Sequence, residues 1–508
     1  AAAEHIAPSK PEPLSEEELA AATARYSTTA DLRKLLTYDE ERGGIPIRLL
    51  SARWLLTYFQ AEGNETARLE HRQWLEREHP EAFVSGEALE RVLAELEERT
   101  LKYKTPWGED TEKHGSFYMS KVESGEWRAV MKCGDYGNDE PVSIAFPSAM
   151  ALSHMWLDKA HPDPNARNLR DMWLPAIEWL YSERVRQLTM PYGREHRAKD
   201  ADGTPLSDEA VLAAADFGLF VDLSSMCQKE NDRRTEVEDG LFRHSLGSLD
   251  VVYAHKGLMS LLSTRVPAGV EVDRSYGERH SSLTPNSLST HLPISPFQTD
   301  DRGWTNFERA EGQLIKPDSF CVDIGLFTVE KAYETATEKR WGESDDEWTK
   351  RTASFPRIGE VPFAKKSVKE LAKQGSYSSS GARGLLGSLV GSRRDAPLTP
   401  DAFATVLSKK EFTNGADSGT VINLYRNTAT ALLGSTPELS YDKLEWSEAQ
   451  FERLGEALCY CGALETLEVK EMELSDTAAA AVLAGIALCT SLKTLKLPWN
   501  RTLTALPD

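Results

Sequence analysis

The segment Cys461-Gly462-Ala463-Leu464-Glu465-Thr466-Leu467-Glu468-Val469 recurs as Cys489-Thr490-Ser491-Leu492-Lys493-Thr494-Leu495-Lys496-Leu497, offset by 28 residues. A further step of 28 back places Leu439 and Tyr441 at the same positions. Repetition at this length narrows the folds open to a chain, because each unit can bury its apolar face only against its neighbour. The Leu-x-Leu core of each unit predicts a strand, and the Ala- and Leu-rich stretch Thr477 to Ala487 predicts a helix between strands. Cys461 and Cys489 fall at equivalent positions, where a small buried residue is expected rather than a zinc ligand. About two and a half units are visible, and Leu503 and Leu506 follow without a polar cap. The expected consequence is an open edge, met by further chain or by a protein partner.

At 508 residues and 56.6 kDa the chain exceeds what one core usually serves, so several domains are expected. Apolar residues at 40% and charged residues at 27% describe a globular chain, with no run approaching the roughly 18 apolar residues of a membrane span. The 59 basic and 80 acidic residues leave a formal charge of −21, which disfavours nucleic acid as a general partner. The six cysteines, Cys133, Cys227, Cys321, Cys459, Cys461 and Cys489, are sparse and read as free thiols of a reducing compartment, either the cytoplasm or an organelle interior. The Ala-Ala-Ala start lacks both an initiator Met and a signal-type core, as expected of a processed start or a fragment.

Four regions are expected. Residues 1–115 read as helical, opening at the Ser15/Glu18 capping box, with a second helix from Ser51 and a third marked by Leu89, Val92, Leu93 and Leu96. Residues 116–335 read as α/β. Short apolar runs at Ala149 to Leu152 and Phe217 to Leu223, separated by a helical stretch from Asn168 to Arg186, predict parallel strands buried on both faces. Residues 336–432 form a linker-containing helical region, whose Gly- and Ser-rich stretch from Gly375 to Gly391 lacks the Lys of a phosphate-binding loop. Residues 433–508 hold the repeats.

Three motifs fall in order within and just beyond the predicted strands: Ala151-Leu152-Ser153-His154-Met155-Trp156, then Leu219-Phe220-Val221-Asp222-Leu223-Ser224-Ser225-Met226-Cys227-Gln228, then Arg302-Gly303-Trp304-Thr305-Asn306-Phe307-Glu308 opening a helix. In an open α/β sheet ligands bind beyond the carboxyl ends of the strands, where all three would meet. Each has a plainer reading. Trp304 and Glu308 at i and i+4 also suit a buried anchor and a surface charge, Asp222 a helix cap, and Gln228 and Arg302 structural hydrogen bonds. His154, His161 and Asp163 have a weak spacing for zinc, and His161-Pro162-Asp163-Pro164 reads as a turn, so no metal site is assigned. No Gly-x-Ser-x-Gly elbow and no dinucleotide Gly-x-Gly-x-x-Gly is present.

The motif set resembles the heterokaryon-incompatibility domains. Leu152, Ser153 and Trp156 match the first motif of that family, Asp222 and Gln228 the second, and Arg302, Trp304, Thr305 and Glu308 the third. His154 stands where the family usually has Tyr, and the Cys position is shifted. The repeats resemble leucine-rich repeats of the ribonuclease-inhibitor type. The whole is similar to algal proteins that couple the two, with His161 to Pro164 and Phe412 to Asp417 adding to that likeness. The family is related to Toll/interleukin-receptor domains, whose enzymatic members cleave the nicotinamide-ribose bond of NAD with a Glu that follows a Trp by four residues.

The resemblance implies a parallel-sheet central domain of this type, preceded by a helical region and followed by leucine-rich repeats. It implies Glu308 as catalytic carboxylate, with Ser153, His154, Trp156, Asp222, Gln228, Arg302 and Trp304 around a bound nucleotide. NAD would be the substrate and no cofactor would be required. The repeats would take a protein partner, and a homo-oligomer is compatible. The alternative is an inactive binding or assembly subunit of a larger complex.

Overall fold

The computed structural model describes residues 14–99, 118–121, 127–130, 147–267 and 302–504, with interruptions at 159–160, 190–197, 199–203, 231–232, 317–319, 338–342, 354–356, 376–393, 411, 413–416 and 501. Cys133, nearly all of the Gly/Ser-rich stretch and most of the Phe412 to Asp417 segment therefore lie outside the described residues. The strands are β1 (Leu50–Ser51), β2 (Tyr118–Lys121), β3 (Trp127–Val130), β4 (Ala149–His154), β5 (Gly218–Phe220), β6 (Met259–Ser263), β7 (Cys321–Asp323), β8 (Glu438–Asp442), β9 (Thr466–Lys470) and β10 (Thr494–Lys496).

The fold is mixed α/β, and its main sheet is mostly parallel. Five strands run in the order β1-β5-β4-β6-β7, with β4, β5, β6 and β7 parallel and the short β1 antiparallel at the edge. β4 is buried at all six positions, as its uniformly apolar Ala-Met-Ala-Leu start requires of a strand covered on both faces. Alternation divides its side chains: Met150 and Leu152 join a core with Trp173, Trp179 and Val322, while Ala149 and Ala151 join a second with Tyr253 and Phe307. The helix Leu174–Thr189 belongs to the first core, and the helices Leu249–Ala254 and Gly303–Gln313 to the second. Gly312 lets the last of these settle on β6, since a Cβ there would stand 2.7 Å from Ser260 Oγ.

Local signals hold where the chain opens. The helix Glu16–Ser27 begins at a reciprocal capping box, Glu18 N donating to Ser15 Oγ (3.3 Å) and Ser15 N to Glu18 Oε2 (2.8 Å). The helices Ala52–Phe59 and Gly86–Arg99 follow where the apolar spacing placed them.

The repeats form a three-stranded parallel sheet, β10-β9-β8, in which Leu439, Leu467 and Leu495 are register partners spaced by 28 residues. The same spacing governs the ion pairs Lys470–Asp442 (3.1 Å) and Lys493–Glu465 (2.7 Å). Asn500, which the repeat alignment did not single out, is 8% exposed and ties the turn: Met472 N donates to its Oδ1 and its Nδ2 donates to Val469 O. Cys461 and Cys489 are buried thiols at their equivalent positions. The apolar interior of the repeats is continuous with the second core of the main sheet through Tyr425, Leu432 and Leu439.

The repeat helices Glu448–Leu458 and Asp476–Ile486 touch backbone to backbone at Gly455 and Gly485, where a Cβ on Gly485 would lie 2.2 Å from Gly455 O. Gly485→Ala is expected to cost about 2 kcal/mol in urea denaturation, because backbone rather than a flexible side chain must move. Gly462→Ala, with open space around its Cβ, serves as the control. Equal losses in the two variants would contradict the packing described.

Candidate functional site

Counted in chain order among the parallel strands, the main sheet reads 2-1-3-4, with β4 first and its successors β5 and β6 on opposite sides. The connections leaving β4 and its neighbours diverge there, and in open α/β sheets this point, beyond the carboxyl end of the strand, is where a ligand crevice is expected. Ser153 and His154 close that strand. Being adjacent in a strand, they face opposite sides of the sheet: Ser153 toward the helix Gly303–Gln313, His154 toward Trp173, whose ring lies edge-on at 4.8 Å. Trp173 is carried by a π-helical turn, Leu169–Trp173, and its indole donates to Ser263 Oγ at the end of β6 (3.3 Å).

Glu308 enters from the helix Gly303–Gln313, on the same inward face as Phe307 and Glu311. It is 7% exposed, and its Oε2 is buried without a hydrogen-bond partner. Burial pushes its carboxyl up to about 8, the nearby Asp222 charge adds to the rise, and the hydroxyls of Ser153 and Tyr253 pull the other way. Glu308 is consequently neutral over most of the population at pH 7. Tyr253 stands on the helix Leu249–Ala254, its hydroxyl donating to Leu152 O at 3.4 Å.

Asp222 lies just past β5 and forms the outer lip. Its Oδ2 accepts from Trp156 Nε1 (2.9 Å) and its Oδ1 from Leu223 N (2.6 Å). His154 Nε2 stands 3.6 Å from Asp222 Oδ1, too far for a hydrogen bond, and is buried without a partner. Two unsatisfied polar atoms, His154 Nε2 and Glu308 Oε2, thus flank one carboxylate. Unsatisfied buried groups are costly, and these two are among the buried polar atoms left without a partner in the described residues.

Five of the expected residues converge there: Ser153, His154, Trp156, Asp222 and Glu308. Three do not. Gln228 braces the loop after β5 from behind, donating from Nε2 to Asp222 O (3.0 Å) and Met226 O (3.3 Å) and from its own amide to Gln73 Oε1 (3.0 Å). Arg302 precedes the motif helix, and its carbonyl accepts from Thr305 Oγ1 and Asn306 Nδ2. Trp304 points toward the helix Asp417–Ser435, its Nε1 donating to Asp417 Oδ2 at 3.2 Å, and meets Phe307 edge-on. Its indole therefore supports the helix from outside the crevice.

Sequence reasoning missed Tyr253 and Trp173. Tyr253 sits in an apolar run, Leu249 to Ala254, that reads only as core, and nothing local announces that its hydroxyl faces a carboxyl.

The His161 segment is a turn. His161 Nε2 is 3.0 Å from Leu69 O, Asp163 N donates to His161 Nδ1, and the Asp163 carboxylate accepts from the amides of Arg167 and Leu169. Among the described residues no group of three or more His, Cys, Asp or Glu is arranged to hold a metal ion. None of the described helices is long and apolar enough to cross a membrane. A cavity of about 640 Å³ opens elsewhere, between Phe59, Arg170, Glu178 and Pro362, and shares no residue with the crevice. Two of its charged groups are already engaged: Arg170 donates to the carbonyls of Phe59, Asn64 and Ala67, and Glu178 accepts from Gln60, Gln374 and Lys366. The chain was compared with protein-family models, curated proteins and solved structures, and none of these matches it.

Proposed function

We propose that the crevice hydrolyses the nicotinamide-ribose bond of NAD, with Glu308 as the acting carboxylate, in a domain of the heterokaryon-incompatibility and Toll/interleukin-receptor type. The observation that carries this reading is a buried carboxyl with an unpartnered oxygen beside a second carboxylate at the end of β4. The chemistry suits it. When the bond between ribose C1′ and the ring nitrogen breaks, the electron pair returns to nitrogen, nicotinamide leaves neutral, and positive charge develops on the ribose. A carboxylate at that point stabilises the transition state more than the ground state. Water then bonds to C1′ and gives up one proton, for which Asp222 and His154 Nε2 are the nearby acceptors. NAD and water become ADP-ribose, nicotinamide and a proton.

Glu308 must be ionised to act in this way. The bound pyridinium cation favours its carboxylate as an adjacent positive charge does in general. In the free protein the group titrates at about 8. The expected result is kcat/KM rising with pH and levelling off above about 8, with nicotinamide release falling at least a hundredfold in Glu308→Ala. Asp222→Asn should lower the rate less and move the profile toward lower pH, because it removes a charge that opposes ionisation of Glu308.

A second reading has its own support: the closure over Glu308 suits a non-catalytic assembly subunit that keeps the fold. In both readings the repeats, as leucine-rich repeats of the ribonuclease-inhibitor type, receive a protein partner. Absence of nicotinamide release by the wild type, alone and in any oligomeric state, would leave only the assembly role.

A further inference from the structure

The helix that carries Glu308 ends at Gln313, and the last carbonyls of any helix lack partners within it. Here a remote arginine supplies them. Arg394 Nε donates to Gln313 O (3.1 Å) and Nη2 to Leu314 O (3.4 Å), placing a cation where the helix dipole is negative. Its Nη1 donates to Ser440 O in β8 (2.7 Å), and the guanidinium lies 4.3 Å from the centroid of the Tyr441 ring. The residue is 2% exposed. Asp395 repeats the pattern, its Oδ2 paired with Arg309 Nη2 on the Glu308 helix (2.5 Å) and its Oδ1 accepting from Gln450 Nε2 on the repeat helix Glu448–Leu458 (2.9 Å).

We infer that Arg394 and Asp395 are positioning residues, which clamp the Glu308 helix to the first repeat unit so that the repeats set where Glu308 stands in the crevice. A buried guanidinium tied to carbonyls on both bodies resists their separation, because each donor lost would remain unpaired out of water. Glu308 lies about one and a half turns from Gln313 on a stiff helix, so movement at the clamp carries to the carboxyl. Ser153 closes β4 and Asp222 follows β5, so neither is held by this clamp. The consequence is that a partner bound to the repeats changes the setting of Glu308 through this clamp. Only the catalytic part of this inference rests on the proposed cleavage of NAD.

The test follows Glu308 itself. In the full chain labelled with 13C at glutamate side-chain carboxyls, the Glu308 signal is assigned by its loss in Glu308→Gln and titrated by NMR. Arg394→Met is expected to lower the midpoint by about one pH unit or more, as water reaches a displaced carboxyl. Asp395→Asn is expected to lower it by less, and Arg394→Lys to restore it in part. Nicotinamide release should fall about tenfold in Arg394→Met, through kcat more than KM. A wild-type midpoint in both Arg394→Met and Asp395→Asn would overturn the inference. If Arg394→Met does not fold, the nearly isosteric Asp395→Asn decides by the same measurement. If the wild type releases no nicotinamide, the catalytic proposal fails while the titration still judges the clamp.

Discussion

Glu308→Gln is expected to make the protein more stable at pH 8, by about 2 kcal/mol and at most about 4, while removing its activity. The sign follows from the two protonation equilibria. Folded Glu308 titrates near 8 against an ordinary 4.5, so between those values the native state binds more protons than the unfolded one. Its contribution to stability is fully present below about 4.5 and is lost as pH rises through 8. Glutamine keeps the shape and the donor of the neutral acid but never ionises. The gap between variant and wild type should therefore be near zero at pH 4.5 and widen up to pH 8, as read by urea denaturation across that range. A gap independent of pH would mean that Glu308 is not held neutral by its surroundings. Stability gained together with activity lost is the pattern expected of a residue kept for chemistry.

Lys366→Met is expected to cost about 3–5 kcal/mol, the largest single loss anticipated in this protein. Glu178 is fully buried, and its carboxylate accepts from Lys366 Nζ, from Gln374 Nε2 (3.2 Å) and from Gln60 Nε2 (2.8 Å). Methionine fills the stem of lysine but leaves that carboxylate with amide donors alone. The double variant Glu178→Gln with Lys366→Met removes the stranded charge and should recover most of the loss. Urea denaturation of the two single variants and the double closes the cycle. A double variant as unstable as Lys366→Met would show that packing, not charge, governs the site.

The sequence made the repeat visible because a 28-residue register leaves its mark at every unit, and Leu439, Leu467 and Leu495 lie where the offset puts them. β4 and the helix from Gly303 were legible for similar local reasons, a fully apolar run and an amphipathic spacing. The directions of individual side chains were not. Trp304 and Glu308 share a helical spacing, yet Trp304 is drawn to Asp417, a partner 113 residues away whose position no local pattern encodes. Gln228, which suited a structural hydrogen bond as well as a ligand contact, braces the loop bearing Asp222. Tyr253 and Arg394 act through tertiary neighbours, so short-range spacing carried no sign of either. The separation of Ser153 from His154 onto opposite faces, by contrast, follows from strand alternation alone.

Proton release on binding tests the central claim most directly. At pH 7 a group titrating at about 8 is about nine-tenths protonated, and the pyridinium ring of NAD should drive that proton off. Calorimetry in buffers of different ionisation enthalpy, with a non-cleavable NAD analogue that keeps the pyridinium ring, should show about 0.9 proton released per molecule bound at pH 7. NADH, whose dihydropyridine ring is uncharged, should release almost none, and neither should the NAD analogue with Glu308→Gln. Equal release with the NAD analogue and NADH, or undiminished release from Glu308→Gln, would contradict the assignment of Glu308 as the carboxylate that meets the nicotinamide.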